Sequence, residues 1–136
     1  MDQLRPNFLS GPYIDRRAEA REDEHWIAQA RADRTTRYLL GQGSAQLLTA
    51  GSEPRIAFLD NDSPLVRAAP DRVLLLLGWL RDTRIVLIDM PVSESLELPA
   101  DTALQELRPL APVLGAQEAA LLAYARALGA WRGRQL

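Results

Sequence analysis

The sequence predicts an α+β fold, a mostly antiparallel sheet flanked by helices, on three observations. Two apolar runs of strand length, Val73-Leu74-Leu75-Leu76-Leu77-Gly78-Trp79-Leu80 and Ile85-Val86-Leu87-Ile88-Asp89-Met90, flank the polar turn Arg81-Asp82-Thr83-Arg84. Three shorter strand-like segments come before them, separated by glycine and proline. Helical periodicity brackets this strand-rich middle on both sides.

Residues 1–21 read as an irregular arm, because Pro6 and Gly11-Pro12 interrupt any period. Phe8, Leu9, Tyr13 and Ile14 are its apolar anchors. A helix is predicted over 22–32. Glu22, Asp23 and Glu24 fall in its first turn, where the helix dipole favours negative charge. Trp26, Ile27 and Ala30 form its apolar face. Strands are expected at 36–40, 45–49 and 55–59, with turns at Gly41, Gly43, Gly51 and Pro54. Asp60-Asn61-Asp62-Ser63-Pro64 ends this meander, and 65–71 reads as a linking loop.

The hairpin 73–90 is the expected centre of the fold. Its runs lack the polar alternation of a half-wet strand, so both faces should be covered. The second run is rich in β-branched residues, and four-residue connections are common in hairpins. Periodicity alone would also allow a helix over 73–80, but Gly78 sits inside it. Beyond Met90-Pro91, Thr102 and Gln105 stand at capping-box spacing, which predicts a short helix over 102–107 stopped by Pro109 and Pro112. A last helix is predicted over 116–131. Leu121, Tyr124, Ala125 and Leu128 recur at i, i+3, i+4 and i+7, and Trp131 extends the stripe. The expected core includes Leu75, Leu77, Val86, Ile88, Leu121 and Leu128.

One domain spanning 1–136 is the natural reading, long enough to bury a core without disulfides or metal. The formal net charge of −2 gives no general attraction to nucleic acid or anionic membrane. All 16 basic residues are Arg, a usage that fits a GC-rich genome better than a dedicated phosphate surface. There is no Cys, which excludes thiolate catalysis and thiolate zinc sites within the segment. No apolar run is long enough for a membrane span, and the first residues have no signal-peptide core. The expected compartment is the cytoplasm.

Chemistry-bearing residues are sparse. His25 is the single histidine, and a lone helical His is more often a surface or packing residue than a base. Asp60 and Asp62 could touch a cation, but Pro64 interrupts the spacing of a calcium loop, so a turn is the better reading. Gly41-Gln42-Gly43 is half of a phosphate-loop pattern placed between strands, where a hairpin turn suits it better. The acidic run at Glu19, Glu22, Asp23 and Glu24 reads as a solvated face paired with neighbouring arginines.

The order of several weak motifs resembles the start of an NADH pyrophosphatase of the Nudix superfamily. Phe8-Leu9-Ser10-Gly11-Pro12-Tyr13-Ile14-Asp15-Arg16 is similar to that family's Phe-x-Gly-x-x-Leu-Asp-Arg. Arg21, Asp23 and Trp26-Ile27 follow, similar to Arg-x-Asp-x-x-Trp-Leu. Ile85-Val86-Leu87-Ile88-Asp89, Leu107-Arg108, Glu118-Ala119 and Tyr124-Ala125-Arg126-Ala127-Leu128 through Trp131 then recur in the family's order.

The resemblance implies a rudimentary, Nudix-like N-terminal domain. A four-cysteine zinc ribbon and a catalytic Nudix domain would follow residue 136 in a longer protein. The parent would cleave the diphosphate of NAD(H) to nicotinamide mononucleotide and AMP, and could also remove NAD caps from RNA. It would use Mg2+ or Mn2+, carry a structural Zn2+ and form a homodimer. The segment itself departs from the family's catalytic signature. Aligned on Arg21-Glu22, the two metal-binding glutamates fall on His25 and Trp26, the upstream Glu on Tyr13, and the two glycines on Asn7 and Ala28. No catalytic or metal-binding residue is therefore expected here. The substrate-binding candidate is Arg108, from the family's Leu-Arg pair, whose guanidinium would suit a diphosphate. It could equally cap the last carbonyls of the short helix before Pro109. The competing function is a free-standing protein-interaction module with no enzymatic role.

Overall fold

The apolar runs pair into one five-stranded mixed sheet. The computed structural model describes residues 25–106 and 116–135. The strands are β1 (Arg37–Gln42), β2 (Ala45–Thr49), β3 (Leu74–Leu80), β4 (Thr83–Met90) and β5 (Thr102–Glu106), in the spatial order β3-β4-β1-β2-β5. Helix α1 (Trp26–Ala32) precedes β1. The five-residue α2 (Pro64–Ala68) and a 3-10 turn (Asp71–Val73) lie between β2 and β3, and α3 (Ala116–Gln135) follows β5. The α+β class holds.

Alternation along the strands builds two cores. Tyr38, Leu40, Leu47, Val86 and Ile88 face one way, against Ala30 of α1 and Val66 of α2. Leu39, Leu48, Ile85 and Leu87 face the other way, against Leu121, Leu122 and Ala125 of α3. The sheet is thus covered on both faces, as its continuous apolar runs demand. Among the expected core residues, Leu77, Val86, Ile88 and Leu121 are buried, whereas Leu75 and Leu128 are half-buried. Leu122 is more fully buried than either of those two, so α3 presents a face rotated slightly from the expected stripe.

The hairpin forms as expected but is not the centre. Strand β3 lies at an edge, and β1 is central, parallel to β4 and antiparallel to β2. The hairpin loop is Arg81-Asp82, not four residues, because Thr83 pairs with Leu80 and Arg84 with Trp79. The Arg84 guanidinium lies 5.5 Å from the Trp79 ring centroid, a contact that favours extending the strand. Leu77 is accommodated by a bulge between Leu76 and Gly78, and Gly78 takes the φ of 145° that this irregularity requires.

Two further expectations fail. The helix expected over 102–107 is absent from its described part: 102–106 form β5, paired antiparallel with β2 along its length, and residue 107 lies outside the described residues. The Thr102 hydroxyl donates to the Pro99 carbonyl at 2.6 Å and caps no helix. The edge of β2 outweighs the local capping signal. Residues 55–59 are not a regular strand either. Strands β1 and β2 pair only at Gly41–Gln46 and Gln42–Ala45 and then diverge. Into that gap the segment inserts, Leu59 exchanging both backbone bonds with Tyr38, and Ala57 donating to Leu47. The supposed linker 65–71 contains most of α2, which starts with Pro64 at its first turn. Helix α1 begins at Trp26; the acidic residues 22–24, the arm 1–21, Pro109 and Pro112 lie outside the described residues.

Candidate functional site

Because β1 and β4 are parallel, their C-terminal ends lie side by side, with Gly41 opposite Asp89. Open sheets take ligands in the crevice beyond the carboxyl ends of such strands. Here α3 passes across that end and borders an open cavity of about 320 Å³. Leu87 and Ala125 line it as apolar walls, with Gly41, Gln46, Asp89 and Gly129 around them. Arg126 is exposed at its rim.

Each polar group has a local reason for its place. Gln46 is the cross-strand partner of Gly41, and its amide lies over that glycine: a Cβ at position 41 would come within 3.0 Å of Nε2. Only 3% of Gln46 is exposed, and its Oε1 accepts no hydrogen bond. A buried carbonyl left unmatched costs about 1–3 kcal/mol, so this is an unusual choice for a wall. Gly43 follows in the β1–β2 loop with φ 63°, the left-handed value needed by two-residue hairpin turns. The Ser44 hydroxyl bonds to the Glu106 carboxylate at 2.7 Å, fastening the loop to β5. Gly129 brings α3 close to Asp89, and a Cβ there would sit 3.5 Å from Oδ2, in ordinary contact.

The residues singled out by sequence are not assembled around this cavity. Arg108 lies outside the described residues. His25 is exposed at the N-cap of α1. Asp60 forms a turn, its carboxylate accepting from the Asp62 amide at 2.9 Å, while Asp62 faces Arg67 at 3.6 Å. Of Gly41-Gln42-Gly43, expected to be a hairpin turn, only Gly43 lies in the connection, because Gly41 and Gln42 extend β1 and pair with β2; Gly41 and Gly43 also supply cavity wall, which the sequence reading missed. Among the described residues no three His, Asp or Glu side chains gather where they could hold a metal ion.

Glu118 is the other residue whose role was missed. Only 5% exposed in the first turn of α3, it accepts from Arg55 Nε at 2.5 Å and from the Ile56 amide at 2.8 Å. It ties α3 to the inserted segment and so fixes where the helix crosses the sheet. Elsewhere, hydrogen bonds from Thr35 hold the Asp33 carboxyl below its ordinary range, and burial raises the Tyr38 hydroxyl above its own.

A five-stranded mixed sheet held between helices, with α3 lying across the ends of parallel strands, is the architecture of a rudimentary Nudix-like domain. The chain belongs to the NUDIX-like family described as the NADH pyrophosphatase-like rudimentary NUDIX domain, whose model matches residues 35–131. The matched range contains Ile85-Val86-Leu87-Ile88-Asp89, Leu107-Arg108 and the α3 motif, but not the segment 8–27 that carried the first half of the resemblance. No curated protein matches the chain. No helix among the described residues is long and apolar enough to cross a membrane.

Proposed function

We propose that this chain is the non-catalytic N-terminal domain of an NAD(H) diphosphatase. The observation that carries this reading is the family match over 35–131. In the proposal, a zinc ribbon and a catalytic Nudix domain lie downstream in the cytoplasmic, homodimeric parent. That catalytic domain holds Mg2+ or Mn2+ with its glutamates and cleaves NAD(H) to nicotinamide mononucleotide and AMP, or the NAD cap of an RNA to nicotinamide mononucleotide and a 5′-monophosphorylated RNA. The present domain shapes the cleft and supports assembly. Its lack of a Nudix box follows from the sequence, where Trp26 and His25 fall on metal-ligand positions. Arg108 contributes from this side by a charge-assisted contact to the diphosphate.

The test is to incubate the purified chain with NADH and excess magnesium or manganese and follow AMP. No release is expected. Turnover that scales with protein and survives repurification would overturn the reading. In the longer protein, Arg108→Ala is expected to lower kcat/KM for NADH about ten- to a hundredfold, the equivalent of roughly 1.5–3 kcal/mol. Unchanged kinetics would make Arg108 structural.

A further inference from the structure

The outer strands of a sheet present N–H and carbonyl groups on which another strand can pair, and proteins commonly blunt such edges with bulges, proline or basic side chains. The two edges of this sheet differ. The β3 edge is broken by the bulge at Leu77, whose carbonyl accepts from the Tyr124 hydroxyl of α3 at 3.4 Å. The β5 edge carries no such device. Thr102-Ala103-Leu104-Gln105-Glu106 has no proline and no basic residue, and it pairs with β2 without a register shift.

The bonding of β2 fixes which groups of β5 point outward. Thr49 donates to the Arg55 carbonyl and Leu47 accepts from Ala57, so both turn their backbone away from β5. Ala50 donates to the Asp101 carbonyl. Alternation along the antiparallel ladder then turns Asp101, Ala103 and Gln105 toward β2, and Thr102, Leu104 and Glu106 toward the outside. Among the described residues no strand lies beyond them.

We propose that two copies of this chain pair through that edge, β5 running antiparallel to β5 about a two-fold axis at Leu104. In this register Leu104 exchanges both backbone bonds with its own copy, and Thr102 exchanges both with Glu106 of the other chain. Every outward N–H and carbonyl of the three residues is then matched. A slip in either direction carries one end of each strand past the end of the other. Charge agrees with the register. Glu106, the only charged residue of β5, stands opposite Thr102 rather than opposite its own copy, where like charges would repel. Leu104 is half-buried against the α1-side core, and its copy extends that apolar surface across the axis.

A stable specific interface buries about 800 Å² per partner, more than five residues of edge supply, so association of the lone chain should be weak and should appear only near millimolar concentration. A β5–β5 contact deepens the homodimer proposed above by naming the surface where the copies meet. Its test reads association rather than AMP, so either reading can fail alone.

Sedimentation equilibrium of the 136-residue chain from micromolar to millimolar concentration should show the mean mass rising from monomer toward dimer. Glu106→Pro removes an outward N–H while taking no bond from β2, and it should weaken association about tenfold or more. The register is tested with single thiols, since the chain has no Cys of its own. Across the axis, residues 102 and 106 would have Cα atoms about 5.5 Å apart, within disulfide reach. Two copies of either residue would be roughly 14 Å apart at the rise of an antiparallel strand. Oxidising a mixture of Thr102→Cys and Glu106→Cys chains should therefore give mixed cross-links several-fold above either self-linked product by mass spectrometry. A mass that stays monomeric at millimolar concentration overturns the proposal. So do self-linked products as abundant as mixed ones, or a Glu106→Pro chain that associates as the wild type does. Should Glu106→Pro fail to fold, the two cysteine variants, each checked by thermal melting, decide the matter.

Discussion

On the α1 side of the sheet the buried Tyr38 hydroxyl donates to Asn61 Oδ1 at 2.7 Å, and Asn61 Nδ2 donates to the carbonyls of Ala30 and Asp33. Arg31 likewise donates to the carbonyls of Val66 and Ala69, joining α1 to α2. On the α3 side the Gln46 Oε1 is buried without a hydrogen-bond partner, while Glu118 fastens the helix near its N-terminal end. Neither face matches every polar atom, since Ser63 Oγ before α2 is also buried without a partner; the α1 face is tied by several side-chain bonds between elements, and the α3 face by Glu118 and by Tyr124, whose hydroxyl donates to the Leu77 carbonyl. Two layers of similar apolar content can therefore differ in how they are fastened, and the difference lies in a few polar atoms rather than in the amount of leucine.

The largest effect should come from the packed part of the α3 face. Leu122→Ala is expected to cost about 2–5 kcal/mol in urea denaturation, and Leu128→Ala less, because Leu128 is only half-buried. Equal costs would mean that α3 does not grade from packed to open along its length. On the opposite face, Asn61→Ala leaves the Tyr38 hydroxyl without an acceptor and should cost about 1–3 kcal/mol.

The same hydroxyl supplies a pH test. Burial raises the Tyr38 pKa above its ordinary 10.0 in the folded state. The folded form therefore holds that proton more tightly than the unfolded chain does. This contribution is fully present below pH 10 and is lost as pH rises through the folded value. In Tyr38→Phe the alkaline decline measured by thermal melts should be shallower.

Glu118→Gln keeps an acceptor for the Ile56 amide but removes the charge facing Arg55. Since Arg55 is 59% exposed, the expected loss is below about 1 kcal/mol, with a similar value for Arg55→Ala. A much larger loss would make this ion pair, rather than the backbone bond, the anchor of α3. The smallest change lies off both faces. Arg81 holds φ 57° in the β3–β4 loop, and Arg81→Gly should gain a few tenths to about 1 kcal/mol by relieving it.

How much of this was legible depended on how local its cause is. Strand β2 and the β3–β4 hairpin follow from runs of apolar residues and nearby turns, and both were readable. The central place of β1 was not, because it comes from parallel pairing with β4, a partner far along the chain. Strand β5 was hidden by Thr102 and Gln105, whose spacing imitates a helix start until the edge of β2 is present to compete. The cavity was hidden for a similar reason. Gln46 looks like any polar strand residue until Gly41 is placed beside it and α3 above it, and Gly129 looks like a mere weakness in the helix. Glu118 was recognised as part of a motif, but its partners Arg55 and Ile56 could be named only in three dimensions. Arg108 was suggested by resemblance alone and falls outside the described residues.

The parallel seam between β1 and β4 also bears on how quickly the chain reaches its native state. Each hairpin, β1–β2 and β3–β4, joins neighbours in sequence and can close on a microsecond scale. The seam instead brings Arg37 to Ile85, so most of the strand-forming chain must be gathered before its first bond is made. Two preformed hairpins docking edge to edge is thus the expected slow event, and the sheet's contact order, more than its stability, should set the refolding rate. Val86→Ala, which weakens the docking strand, is then expected to slow refolding in stopped-flow experiments; an effect on unfolding alone would place the seam after the barrier.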